Sequence, residues 1–181
     1  MKNNFRFAGC LILFWCCFLT EGFGQRVSLK TNALLWGNLT PNISGEIILS
    51  KRTTLEGTVM YSPNGGPLDT RLRGFSADYR YWIAGRPFVR SFVGFSTGLT
   101  TYKIKSNRYI HSGDAANIGL VYGYVLPLKK HWNIEFLGGY GISIFREKKF
   151  KKEQFDSSAE YNVNGHRFLP VRVGISVGYV F

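Results

Sequence analysis

The chain has 181 residues and a formal net charge of +12, from 23 Lys and Arg against 11 Asp and Glu. That length suits a single domain. Aromatic residues make up 16% of it and glycine occurs 21 times, which is rich for a soluble domain and fits strands that carry aromatic belts and close contacts.

The start of the chain sets the compartment. Met1 to Arg6 carries Lys2 and Arg6, Phe7 to Leu19 is apolar or small throughout, and Gly22-Phe23-Gly24 precedes Gln25. A basic segment, a short apolar run and a small-x-small site describe a secretory signal peptide, expected over 1–24. The apolar run is shorter than the ~20 residues of a membrane-spanning helix. Phe7-Ala8-Gly9-Cys10 has the residues of a lipidation box, but its cysteine precedes the apolar run instead of following it. Cys10, Cys16 and Cys17 all fall in the signal, so 25–181 enters an oxidising compartment without a thiol. Without Lys2, Arg6 and Glu21 the mature chain keeps 21 basic and 10 acidic residues, or +11. Such a balance points to anionic partners. Export removes nucleic acid from them and leaves phosphates at a membrane surface.

From residue 25 onward the apolar pattern has a period of two, and no helical stripe of useful length appears. The expected strands are Val27 to Trp36, Asn42 to Leu49, Thr54 to Tyr61, Leu72 to Trp82, Phe88 to Thr101, Asn117 to Leu126, Trp132 to Phe145 and Leu169 to Phe181. Several approach the ~9–11 residues of a tilted strand that crosses a bilayer. Connections after the second, fourth and sixth strands are short. Those over Ser62 to Arg71, Tyr102 to Ala116 and Arg146 to Phe168 are long. Short turns on one rim and long loops on the other describe an outer-membrane barrel. The expected fold is therefore all-β: an eight-stranded antiparallel up-and-down transmembrane β-barrel over 25–181, following a cleaved signal peptide. An even strand number puts both chain ends on the periplasmic rim.

Sorting the strands by face separates large apolar residues from everything else. One face carries, among others, Leu29, Ile47, Val59, Phe75, Phe95, Leu120, Phe136 and Ile175, with Arg73 near a loop end as its exception. The other carries Lys30, Glu46, Glu56, Asp78, Arg80, Arg90, Glu135 and Arg172, four acids and four bases, together with small residues such as Gly94, Ser96, Gly119, Gly141 and Gly178. Small residues suit a cramped interior, and eight strands leave room inside for side chains only. The apolar face is therefore assigned to lipid. The eight charged residues are expected to pair in the lumen as a structural network, because an unpaired charge there would be costly. A soluble lipocalin-like barrel that binds an apolar ligand would reverse these faces.

The stretch "SLKTNALLWGNLTPNISGEIILSKRTTLEGTVMYSP", with "ADYRYW", "GLVYGYVLPLKKHWNIEFLGGYGISIF" and "PVRVGISVGYVF", resembles a family of small outer-membrane barrels of unknown function from the Bacteroidota. The resemblance covers nearly all of 25–181 and is specific at the two ends. It implies an eight-stranded barrel with no assigned enzymatic activity and no cofactor. Genes of that family often lie beside fimbrial assembly genes, which implies fimbrial or other surface proteins as partners.

Three further features bear on function. Basic residues cluster in the expected outer loops: Lys103, Lys105 and Arg108, with His111, in one, and Arg146, Lys148, Lys149, Lys151 and Lys152 in another. They have the charge to meet lipopolysaccharide phosphates or another anionic surface polymer. His111, Ser112 and Asp114, with His166 far along the chain, raise a lipid-A-modifying enzyme as an alternative. A nucleophilic serine needs a base within reach and a group to orient that base, however, and neighbours on an extended chain point to opposite sides, so no catalytic or metal-binding residue is assigned. Finally, Val177, Tyr179 and Phe181 alternate up to the last residue. That resembles the C-terminal signal read by the outer-membrane insertion machinery.

Overall fold

A computed structural model describes residues 27–62, 66, 67, 69–105, 109–151 and 163–181. The expected signal segment, 1–24, lies outside the described residues. Eight strands run in chain order: β1 (Val27–Asn32), β2 (Asn42–Ser50), β3 (Thr53–Tyr61), β4 (Thr70–Trp82), β5 (Arg90–Lys105), β6 (Tyr109–Pro127), β7 (Trp132–Lys151) and β8 (Val163–Val180). Each pairs antiparallel with the next, and β8 closes on β1 from Ser28↔Val180 to Asn32↔Ser176, making a closed up-and-down barrel. Closure leaves no sheet edge at that level, which answers how residues 25–181, with no cysteine among them, hold the two end strands together.

The two faces separate as the alternation requires. Leu29, Ile43, Val59, Phe75, Phe95, Leu120, Tyr140 and Val173 are exposed on the outside, while Lys30, Glu46, Glu56, Asp78, Arg80 and Glu135 are buried inside. Glycine on the inner face answers to space. A Cβ at Gly141 would stand 2.1 Å from the Ile118 carbonyl oxygen, and one at Gly123 would stand 2.2 Å from the Phe92 ring.

Three departures from the expected strands shape the molecule. The first strand stops at Asn32, and Ala33–Gly37 forms one short helix, α1. Four successive apolar residues, Ala33 to Trp36, fit a helical turn as well as a strand, so periodicity alone does not separate the two. Capping decides: the Asn32 side chain accepts from the Leu34 N–H at 3.0 Å, as an N-cap asparagine does. Second, most of the two connections Tyr102 to Ala116 and Arg146 to Phe168 is strand. β5 and β6 pair up to Lys105↔Ile110, and β6 and β7 up to Tyr109↔Lys151. The outward apolar face ends at Leu99 and Ile144, but backbone pairing continues through stretches whose outward positions are charged, Lys103, Arg146 and Lys148 among them. Third, Gly139 pairs with Arg172 and Tyr140 with Pro170, so Val171 is an extra residue in β8. This bulge switches the inward positions of β8 from Arg172 and Gly174 below to Leu169 and Arg167 above.

The wall is therefore uneven. β1 and β2 are 6 and 9 residues long, whereas β7 and β8 have 20 and 18. Above Asn32, β8 pairs with β7 on one side only, and on the other it meets α1 and the Asn32 side chain. That side chain donates to the Val173 carbonyl at 3.1 Å and accepts from the Ile175 N–H at 3.3 Å.

Candidate functional site

The register brings three acids side by side on adjacent strands: Glu46↔Glu56 across β2 and β3, and Glu56↔Asp78 across β3 and β4. Like charges directly opposite one another are destabilising, so this row needs cations from elsewhere in the barrel. Lys30 of β1 supplies one. Its Nζ donates to Glu46, to Glu135 of β7 and, at 2.9 Å, to Glu56. Carboxylate oxygens of Glu46, Glu56 and Glu135 all lie within 4.8 Å of one another, a spacing that could hold a metal ion, and the Lys30 ammonium is bonded to all three. Arg80 of β4 supplies the second cation. It meets Glu46 and Glu135 at 3.1 Å each, Glu56 at 2.8 Å and Asp78 at 3.2 Å. Arg172 of β8 supplies the third, at 3.1 Å from Glu56 and 2.8 Å from Asp78. Ser96 donates to Asp78 at 2.6 Å, and Thr54 donates to Glu46.

Seven of the eight residues assigned to the lumen network thus come together. The eighth, Arg90, does not. It is exposed at the foot of β5, and its φ of 61° follows a φ of 64° at Phe88. Positive φ is uncommon for residues other than glycine. Here it breaks the alternation, so Phe88 is buried and Arg90 is not. The expected balance of four acids and four bases becomes four and three within the network.

Beneath the ions lies an apolar floor. Trp82, Phe88, Phe92, Val121, Val125 and Leu137 form one buried cluster at the short-turn rim. Trp82 packs on Phe92 at 4.9 Å between ring centroids and donates its indole N–H to Thr54 at 2.9 Å. The Arg80 guanidinium sits over the Phe92 ring at 4.6 Å, a cation–π contact. Floor and ion network are therefore one unit, joined through Thr54 and Phe92, and they fill the lower lumen.

Above Arg172 the lumen opens into a cavity of about 670 Å³. Leu35, Leu72, Ala115, Phe145 and Leu169 line it, and its polar groups include Tyr102, His111 and Glu147. Buried Glu147 accepts from the Tyr102 hydroxyl at 3.0 Å and lies 3.3 Å from His111 Nδ1. Glu147 was not singled out in the sequence. Its signal was an acid at an inward position amid bases, legible only once β7 is known to extend that far.

The alternation places Lys103, Arg146 and Lys148 on the outer surface above the apolar belt. Lys103 pairs in register with Arg71 and with Ser112, and Ser112 with Lys148, while Asp114 pairs with Arg146. Arg71 and exposed Arg73 join the same band. Lys105, Lys149 and Lys151 occupy the upper ends of β5 and β7. Arg108 and Lys152 lie outside the described residues. His111 lines the inner cavity, whereas Ser112 and Asp114 fall on or next to the outward band and His166 is exposed outside, so the four do not converge. At the opposite rim Tyr179 packs against His131, Trp132 and Phe181.

Fold and interior together define a small up-and-down β-barrel with a filled lower lumen and an open upper one. The chain belongs to the family described as a protein of unknown function, DUF3575, whose model matches residues 9–181. No curated protein and no solved structure matches it.

Proposed function

We propose that the protein is an integral outer-membrane β-barrel with a structural or interaction role at the cell surface: envelope integrity, adhesion or assistance to fimbrial assembly. The observation that carries this reading is the reversed distribution of polarity, with ions buried inside and large apolar side chains outside. From Trp132 to Ile144 the outward positions of β7 hold no charge, and Trp132, Phe136, Tyr140, Ile142 and Ile144 are all exposed. At about 3.4 Å per residue and a tilt of about 40°, that stretch rises roughly 30 Å, the thickness of a hydrocarbon core. Above it stands the basic band of Arg71, Arg73, Lys103, Arg146 and Lys148, at the level where outer-leaflet phosphates would lie. The filled floor argues against conduction. The separation of His111 from Ser112 gives a lipid-modifying activity less support.

Leu120 tests the membrane reading. It is 71% exposed at mid-height on β6. In a lipid-embedded barrel, Leu120→Arg should cost about 2–4 kcal/mol. On a soluble barrel the same change at a wet surface would be worth within about 0.5 kcal/mol. Urea unfolding in phospholipid vesicles measures the difference, and recovery of the wild-type chain from a soluble fraction without detergent would defeat the proposal.

Phe181 gives a second check. Its N–H donates to the Val27 carbonyl at 2.9 Å, and its ring lies edge-on to Tyr179 at 4.9 Å. Phe181→Asp should lower the yield of folded barrel in the outer-membrane fraction more than Lys148→Ala does, as read from the band shift between heated and unheated samples.

A further inference from the structure

The upper cavity is bounded by more than inward-facing residues. Pro170 and Val173 also line it, and both are exposed on the outside of β8. They lie where β8 has lost its β1 partner and meets α1, whose Leu35 lines the same cavity. Lining residues from both faces of the wall thus meet at the seam between β8 and α1, the natural place for a side opening. This seam falls below the basic band, next to exposed Phe168 and Ile142, which pair in register, and so within the apolar belt. The volume is that of small-molecule sites, ~300–1,000 Å³. Leu35, Pro170, Val171 and Val173 line the side entrance, with the Asn32 amide beside them already bonded to β8, and the remaining polar lining, Tyr102, His111, Glu147, Arg167 and Arg172 among it, lies farther inside. An apolar chain suits such a lining, whereas a charged group at the side entrance would lose its water without gaining a partner.

We propose that the upper lumen takes up one acyl chain of a neighbouring outer-leaflet lipid, which enters between β8 and α1 while its phosphates stay outside at the basic band. This rests on the outer-membrane reading. The short β1 and the Val171 bulge are then the features that open the wall: the first withdraws a strand, and the second turns Leu169 inward to line the path.

The test uses the full barrel reconstituted in vesicles that contain a phospholipid with a photoreactive diazirine in its acyl chain. Folding is checked by the heat-induced band shift, and labelled residues are mapped by mass spectrometry after irradiation. Label is expected on Leu72, Phe145 and Leu169 inside, as well as on Ile118 and Ile142 outside. In Ala115→Trp, which fills the cavity, the inside label should be lost and the outside label kept. Leu169→Phe is a milder variant with the same expectation, should the first not fold. Label confined to outward residues, or inside label that survives both substitutions, overturns the proposal while leaving the membrane reading intact. Inside label obtained only with a diazirine fatty acid, and never with the phospholipid, overturns the lipid-tail occupant in favour of a free acid. Failure of the folded barrel to enter vesicles overturns both readings.

Discussion

Lys30→Met should destabilise the barrel by about 3–5 kcal/mol, the cost of removing one partner from a buried ion pair. The methionine side chain has similar length and fills similar space, so the loss is electrostatic. Glu46, Glu56 and Glu135 each accept from Lys30, and the Lys30 and Glu46 side chains are at most 2% exposed. Without the ammonium, Arg80 and Arg172 face four carboxylates that have no water to spread their charge. The midpoint of urea unfolding in vesicles reports the effect. Adding Glu135→Gln to Lys30→Met should recover part of it, because the amide removes one of the charges left uncompensated. A double-mutant cycle over the two positions isolates the coupling. If Lys30→Met unfolds at the wild-type midpoint, the three-carboxylate arrangement around Nζ is not what holds the lower lumen.

Trp82→Ala should cost a similar amount, about 3–5 kcal/mol, for a different reason. Trp82 is wholly buried and is the largest side chain of the floor. Its loss removes the packing on Phe92 and Phe88 and leaves a void too near the ion network to collapse without moving it. It also takes away the indole donor to Thr54, which in turn donates to Glu46. Trp82→Phe separates the two effects. It keeps most of the apolar volume and loses the hydrogen bond, for which about 0.5–1.5 kcal/mol is expected. Chemical denaturation gives the stabilities. Equal losses in the two variants would show that the hydrogen bond, not the ring packing, is the larger contribution.

The two layers work together. An ion network in a narrow barrel is stable only if water is kept from competing for its charges and every charge has a partner. The aromatic floor closes the network from the short-turn rim, and the strands close it laterally. The upper cavity has no such filling and shares with the network only Arg172, whose side chain is 13% exposed. The lower half thus behaves as the structural part of the molecule. The upper half holds the open cavity inside and the basic band outside.

Much of this was legible in the chain. Period-two alternation from Val27 onward dictates strands, because side chains on a strand point alternately to two sides. The segregation of Lys30, Glu46, Glu56, Asp78, Arg80, Glu135 and Arg172 onto one side, with glycine and serine between them, identifies the interior before any contact is known. Those features are local, and local pattern is enough to state them. What the pattern could not decide depends on register and on backbone geometry. Ala33 to Trp36 reads equally as strand or helix until Asn32 caps it. Arg90 keeps the parity of an inward residue and leaves the lumen because positive φ at Phe88 and Arg90 turns the backbone. The upper parts of β5 to β7 pair through stretches whose outward positions carry charge, so the apolar face no longer marks them. Glu46, Glu56 and Asp78 were recognisable as inward acids, but only the pairing of β2, β3 and β4 puts them in one row, and only barrel closure brings Lys30 and Arg172 from the two ends of the chain to neutralise it. Alternation along a strand fixes which way a side chain points. The partner it meets there is set by which residue the neighbouring strand places opposite, and that is decided by the closed sheet as a whole.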